Sequence, residues 1–215
     1  MNPHEFELPG AFNVGAVFFF ALTGALAARR LGYDIIGVFV LAFATGLGGG
    51  LIRDTLLHGI GPVAALTDPR FLVAVLCATV CGLFRFSTRI EKFNQVVAII
   101  DAIGLGAFAV VGTDMALQLE LHWLAAIFVG VVNAVGGGLL RDLLIRAEPL
   151  LLKPGQFYAF AALTGAAAYA ALTEHWKLPA FQAAIFATLA TVVFRVLAII
   201  FNWKTRAVET PLESP

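Results

Sequence analysis

Long apolar stretches separated by short polar clusters set the plan of this chain. Seven such stretches run at roughly 12–28, 35–57, 71–86, 96–117, 123–145, 157–172 and 180–203. Most approach the about 20 apolar residues that a helix needs to cross a hydrocarbon core ~30 Å thick. They are continuous runs, not the alternating apolar and polar positions of a membrane barrel strand. Polar residues gather between them, at Arg29-Arg30, at Asp68-Pro69-Arg70, in the segment STRIEKFNQ (87–95) and around Arg146, Glu148, Pro149, Lys153 and Pro154. The pattern predicts an all-α polytopic membrane protein, one membrane domain of seven transmembrane helices over residues 1–215. The polar tail after Lys204 is expected to lack structure.

The polar clusters also predict an orientation. Arg29, Arg30, Arg85, Arg89, Lys92, Arg146, Lys153, Lys204 and Arg206 fall on one side. Arg70 and Lys177 fall on the other, with Arg53 near that end of its span. Cytoplasmic loops carry the excess of Lys and Arg. The N-terminus is therefore expected outside and the C-terminus in the cytoplasm, as an odd number of spans requires.

The apolar pattern repeats. TGLGGGLIRDTLL (45–57) aligns with NAVGGGLLRDLLI (133–145) at an offset of 88, with 7 of the 13 positions identical. Gly48, Gly49 and Gly50 fall on Gly136, Gly137 and Gly138, and Arg53-Asp54 on Arg141-Asp142. Thr45 falls on Asn133, and Asn13 on Asp101. Phe20-Ala21, Gly24 and Ala28 fall on Phe108-Ala109, Gly112 and Ala116. The unit is three spans, at about 12–86 and again at about 96–172, with a seventh at about 180–203. Three is odd, so the two copies insert in opposite senses, an inverted repeat whose working site is expected at the midplane.

Composition sharpens the class. The chain is 60% hydrophobic and 13% charged, with mean hydropathy +0.90, against about 25% charged for soluble domains. The formal net charge of +0 gives no electrostatic case for nucleic acid. Cys77 and Cys81, one turn apart in an apolar run, read as small packing residues. The histidines at 4, 58, 122 and 175 are scattered, so no metal site and no cofactor is expected. Glu5 and Glu7 replace the basic start of a cleaved signal peptide. Neither a Ser-His pair nor a peptidase-like pair of intramembrane aspartates occurs, so the chain is not read as an enzyme.

The glycine runs carry the functional expectation. Three consecutive glycines weaken a helix by about 1 kcal/mol each relative to alanine. A break in lipid is tolerated only against protein or a water-filled cavity. The sequence therefore predicts helices 2 and 5 broken at the glycines. Asp54 and Asp142 would stand in the first turn of the second half-helix, where free N–H groups favour an acid. Arg53 and Arg141 would pair with these aspartates or line an aqueous path; the bland alternative is snorkelling to headgroups. Thr45 and Asn133 would line the break or hydrogen-bond a neighbouring helix. Asp101, the deepest charge, is expected to face the pore. Arg195 would snorkel or pair with Asp101. The competing account of each glycine run is close packing between helices. On the break reading, Gly49→Leu or Gly137→Leu would abolish flux while assembly persisted.

The doubled GGG-x-x-R-D, the F-A-x-x-G before each copy and the seven-span layout resemble the trimeric intracellular cation channel family, over about Phe12 to Phe201. Bacterial members also carry the label of a glycine transporter domain. The resemblance implies a homotrimer with an hourglass pore in each protomer, narrowed where helices 2 and 5 kink at the glycines. It implies a monovalent cation, chiefly potassium, as the permeant species, and membrane lipids as surroundings. The short chain resembles prokaryotic members of the plasma (inner) membrane. No TVGYG-like carbonyl filter is present, so selectivity is expected to be modest. The alternatives are a secondary transporter for glycine or another small zwitterion, and a non-transporting scaffold.

Overall fold

The computed structural model describes residues 8, 10–57, 67–84, 90–153, 157–201 and 203, with the side chains of 90–92 left aside. His4, Glu5, Glu7, His58, Pro62, Arg85, Arg89, Pro154, Lys204 and Arg206, and the side chain of Lys92, lie outside the described residues. Among the described residues seven long helices follow one another: α1 Gly10–Arg30, α2 Ile35–Leu56, α3 Pro69–Leu83, α4 Ile90–Gln118, α5 Trp123–Leu144, α6 Tyr158–Glu174 and α7 Ala180–Ile200. Five of them, α1, α2, α4, α5 and α7, are long and apolar enough to cross a membrane. The shorter α3 and α6 have 15 and 17 residues. Their ends match the apolar stretches to within a few residues, except that α4 begins six residues early, inside the polar segment 87–95.

Local chemistry sets several of these ends. Asp34 caps α2, its carboxylate accepting from Gly37 N at 2.8 Å. Asp68 caps α3 by accepting from Arg70 N at 2.9 Å, with Pro69 in the first helical turn. Between α1 and α2 the chain reverses through Gly32 at φ +75°, where a Cβ would be strained. Tyr33, Trp123, Trp176 and Trp203 stand exposed beyond or at helix ends, as aromatic side chains do at a membrane surface.

The packing mirrors the repeat. α1 packs on α2 and α3 as α4 packs on α5 and α6, and the two units join through α1 against α4 and α2 against α5. Among the described helices α7 lies on α4 and α6 alone. Many of the buried residues are small: Ala16, Ala21, Ala25 and Ala28 in α1 share one core cluster with Ala42, Ala74, Ala78, Ala109 and Ala134 from the other helices. Lipid is as apolar as leucine, so helices here cohere by close contact rather than by expelling water.

The helices are not broken at the glycines, which corrects the expectation from sequence. α2 and α5 run through Gly48–Gly50 and Gly136–Gly138 without interruption, and Gly32 is the only glycine with positive φ among the described residues. The reason is contact between the two helices. A Cβ on Gly49 would overlap the carbonyl oxygen of Asn133, and one on Gly137 that of Thr45. A Cβ on Gly48 would strike Leu140, and one on Gly136 would lie 2.9 Å from Ile52 Cδ1 and 3.2 Å from Gly49 Cα. Each contact becomes its partner when 88 is added to one residue and subtracted from the other. In each the residue numbers run in opposite directions along the two helices. α2 and α5 therefore cross antiparallel about a pseudo-two-fold axis that passes between the glycine runs. Phe20 and Phe108, equivalent residues, meet edge to face across the same axis, ring centroids 5.0 Å apart.

With both helices continuous, Asp54 and Asp142 do not cap half-helices; they sit in the last turns of α2 and α5. A leucine at 49 or 137 has no space between the helices, so loss of assembly replaces the expected selective loss of flux. Gly49→Ala is expected to destabilise the protein in detergent by about 1–3 kcal/mol through overpacking. Gly15→Ala, whose Cβ meets nothing within 4 Å, should be neutral or stabilising. Thermal unfolding of the two variants side by side checks this, and equal shifts would contradict the crossing.

Candidate functional site

One turn past each glycine run, an Arg-Asp pair is buried, and the two pairs lie on opposite sides of the crossing. On the α2 side Arg53 is 2% exposed and donates to Asp54 Oδ1 through Nε at 2.7 Å and Nη2 at 2.5 Å. Its Nη1 is buried with no hydrogen-bond partner. Asn13 of α1 and Phe108 line the same small cavity of about 20 Å³. Neither arginine of the motif snorkels.

On the α5 side the arrangement is larger and more heavily charged. Arg141 donates through Nε to Asp142 Oδ1 at 2.9 Å, and through Nη1 to Asp101 Oδ1 at 3.0 Å and Thr23 Oγ1 at 3.2 Å. The second carboxylate oxygen of Asp142 accepts from Leu150 N at 2.9 Å, tying the α5–α6 connection to the cluster. A buried ion pair holds only when its remaining donors and acceptors are engaged, and these bonds do that. The cluster lines a cavity of about 630 Å³ with Arg195, Arg30, Glu148 and Lys153. Arg195, from α7, lies over the Tyr158 ring at 5.1 Å from its centroid.

The two clusters are one design with a charge difference. Arg53-Asp54 is equivalent to Arg141-Asp142, but Asn13 stands where the other copy has Asp101. Two carboxylates flank Arg141, Arg195 brings a cation from the helix that lies outside the repeat, and the whole lining carries four cations and three anions. The cavities share no lining residue. Between them lie the closely packed glycine crossing and the Phe20–Phe108 pair.

The residues singled out from sequence separate into two groups. Arg53, Asp54, Asp101, Arg141 and Asp142 line the cavities. Gly48, Gly49, Gly136 and Gly137 form the crossing. Gly50 touches the small cavity, while a Cβ on Gly138 would lie 2.9 Å from the Tyr158 hydroxyl. Thr45 bonds its own helix at Leu41 O, 2.6 Å, and Asn133 ties α5 to α4 through Phe108 O at 2.7 Å. Both are fully buried and line neither cavity. Sequence reasoning gave no weight to Thr23 and Tyr158. Thr23 has Val111 as its equivalent, so the repeat gave no signal for it. Among the described residues no group of three His, Cys, Asp or Glu is placed to hold a metal ion.

Comparison with known proteins bears on both the fold and the site. A family profile described as "Glycine transporter" matches twice, over residues 11–86 and 98–174. The inner membrane protein YadS of Escherichia coli K12 is 34% identical over 187 residues, 86% of this chain and 88% of its own. YvgT of Bacillus subtilis 168, a membrane protein, is 36% identical over 194 residues, 89% and 92% of the two chains. The trimeric intracellular cation channel orthologue from Rhodobacter sphaeroides superposes with a TM-score of 0.80 at 34% identity, covering 89% of this chain and 96% of that one. A second solved structure, described under conductance through such cation channels, gives 0.76 at 33% identity over 95% and 98%.

Breaking the larger cluster is expected to be costly. Arg141→Met leaves Asp101 and Asp142 buried without their shared cation, a loss of about 3–5 kcal/mol. Asp101→Asn keeps a hydrogen-bond acceptor and leaves the Arg141–Asp142 pair, and should cost clearly less. Unfolding midpoints in detergent check the order, and a neutral Arg141→Met would contradict the pairing.

Proposed function

The chain belongs to the trimeric intracellular cation channel family, whose profile also carries the glycine transporter description, and on that premise we propose that it is a potassium-conducting channel with one pore per protomer of a homotrimer. The observation that carries this reading is the pair of charged cavities on opposite sides of one pseudo-two-fold axis. Buried charges in a membrane protein mark a water or ion path, and an inverted repeat puts such a path between its halves. Asp54 would draw cations into one vestibule, and Asp101 and Asp142 into the other. The paired Arg53 and Arg141 keep those carboxylates from holding a cation too firmly, because conduction needs binding weak enough to release. Arg53 Nη1, buried and unsatisfied, fits a wet vestibule.

The resting path is closed in this reading, and opening separates Phe20 from Phe108 or slides α2 along α5. Glycine helices that touch through backbone slide without rotamer clashes. Carbonyls in the unbroken stretches 45–50 and 133–138 stay within helical hydrogen bonding, so they do not form a coordinating ring. We therefore expect only modest preference for potassium over sodium. The N-terminus is proposed outside and the C-terminus in the cytoplasm, in the plasma membrane of a prokaryotic cell, with the Arg141 vestibule facing inward.

One observation favours the glycine reading. The larger cavity presents a guanidinium and two carboxylates within about 3 Å of one another, complementary to a zwitterion. Purified protein in liposomes separates the two. The channel reading expects potassium flux and unitary currents, with no saturable glycine uptake. Saturable, counterflow-competent glycine uptake without unitary current would replace it, and silence in both assays would leave a scaffold.

A further inference from the structure

α7 has no counterpart in the first repeat, and among the described residues no helix takes the equivalent place. In the second repeat α7 fills the groove between α4 and α6. A Cβ on Gly106 would lie 3.0 Å from Thr188 O and from Thr191 Cβ, and one on Gly165 would overlap Thr191 Oγ1. The equivalent groove lies between α1 and α3. It is a crevice of about 590 Å³ whose lining includes Val14, Gly15, Phe18, Val73, Arg70 and Cys77. These are positions of one face of each helix, three and four residues apart. The crevice is a wedge. α1 and α3 run the same way, Gly10 beside Arg70 at one end, and at the other end a Cβ on Gly82 would overlap no backbone but the Ala25 side chain, so the helices touch there.

Its lining says what fits. The two glycines that admit the α7 backbone, Gly106 and Gly165, are replaced in the first repeat by Phe18 and Cys77. A helix cannot approach as closely over a phenylalanine, so the space suits a thinner, deformable apolar chain. At the wide end stands a salt bridge. Arg70 Nη2 lies 2.6 Å from Asp68 Oδ2, with the two side chains 65% and 24% exposed. An exposed guanidinium beside a half-buried carboxylate complements a phosphate next to an ammonium.

We propose that this crevice is a phospholipid site: an acyl chain lies between α1 and α3, with a zwitterionic phosphoethanolamine headgroup on the Arg70–Asp68 pair. The phosphate bonds the guanidinium and the ammonium the carboxylate, and the acyl chain takes the place that α7 takes in the second repeat. Charge-assisted bonds from arginine to phosphate are among the stronger polar contacts available. The site is separate from both charged cavities, so it stands whether or not the protein conducts.

The test is native mass spectrometry of the purified protein in detergent titrated with phosphatidylethanolamine or phosphatidylglycerol. Wild type is expected to retain phosphatidylethanolamine preferentially. Gly15→Phe fills open space, because nothing lies within 4 Å of its Cβ. It should weaken retention by about tenfold or more with an unchanged unfolding midpoint, and Arg70→Ala should remove the headgroup preference. Phe128→Trp, on the exposed face of α5, should change nothing. Equal retention by wild type and Gly15→Phe would overturn the site, as would equal retention of both lipids. A change of oligomeric mass in Gly15→Phe would assign the crevice to a second copy of the chain instead.

Discussion

Direct backbone contact between α2 and α5 is the constraint on which the rest of this structure depends. Four helix positions meet there, Gly48, Gly49, Gly136 and Gly137, and at two of them a carbonyl of the opposite helix fills the space of the missing Cβ. Contact this close needs glycine on both sides, since a Cβ on Gly49 or on Gly137 would overlap a carbonyl oxygen of the opposite helix. The conformational cost of glycine in a helix, about 1 kcal/mol each, is met by packing that no larger residue permits. Once the crossing is fixed, the Arg-Asp pair one turn beyond each run is carried to the opposite side of the axis from its twin.

From that placement the polar architecture follows. Arg53 and Arg141 are both buried, and each pairs with a carboxylate within the protein. The α2 side does this with Asp54. The α5 side adds Asp101 and Thr23 and takes Arg195 from α7, giving a larger and more highly charged cavity. The repeat is thus symmetric in backbone and asymmetric in charge, the difference resting on Asn13 against Asp101 and on α7.

Much of this was legible in the residues. The apolar runs located the helices because lipid demands continuous apolar length. The offset of 88 located the axis, and the oddness of three spans gave the inversion. The role of the glycines was misjudged, since a glycine run permits both a break and a close approach, and local sequence does not say whether another backbone is near. A clue was nonetheless present. A two-fold axis through a glycine run brings that run against its own copy, which is what Gly49 and Gly136 show. Arg195, Thr23 and Tyr158 were harder to place, because Arg195 lies outside the repeat, Thr23 falls on Val111 and Tyr158 on Arg70. The long-range pairing of Arg141 with Asp101, 40 residues apart, depended on packing that periodicity does not encode.

The central claim is that the two charged cavities are opposite ends of one path through the crossing. Side-specific thiol modification tests it most directly. In a background with Cys77 and Cys81 replaced by serine, Asn13→Cys and Asp101→Cys are placed singly, and potassium current is followed as a membrane-impermeant thiol reagent is added to one side of a bilayer, then to the other. The account predicts that each variant is blocked from one side only, and that the two sides are opposite. Block of both variants from the same side, or block of neither while current persists, would contradict it.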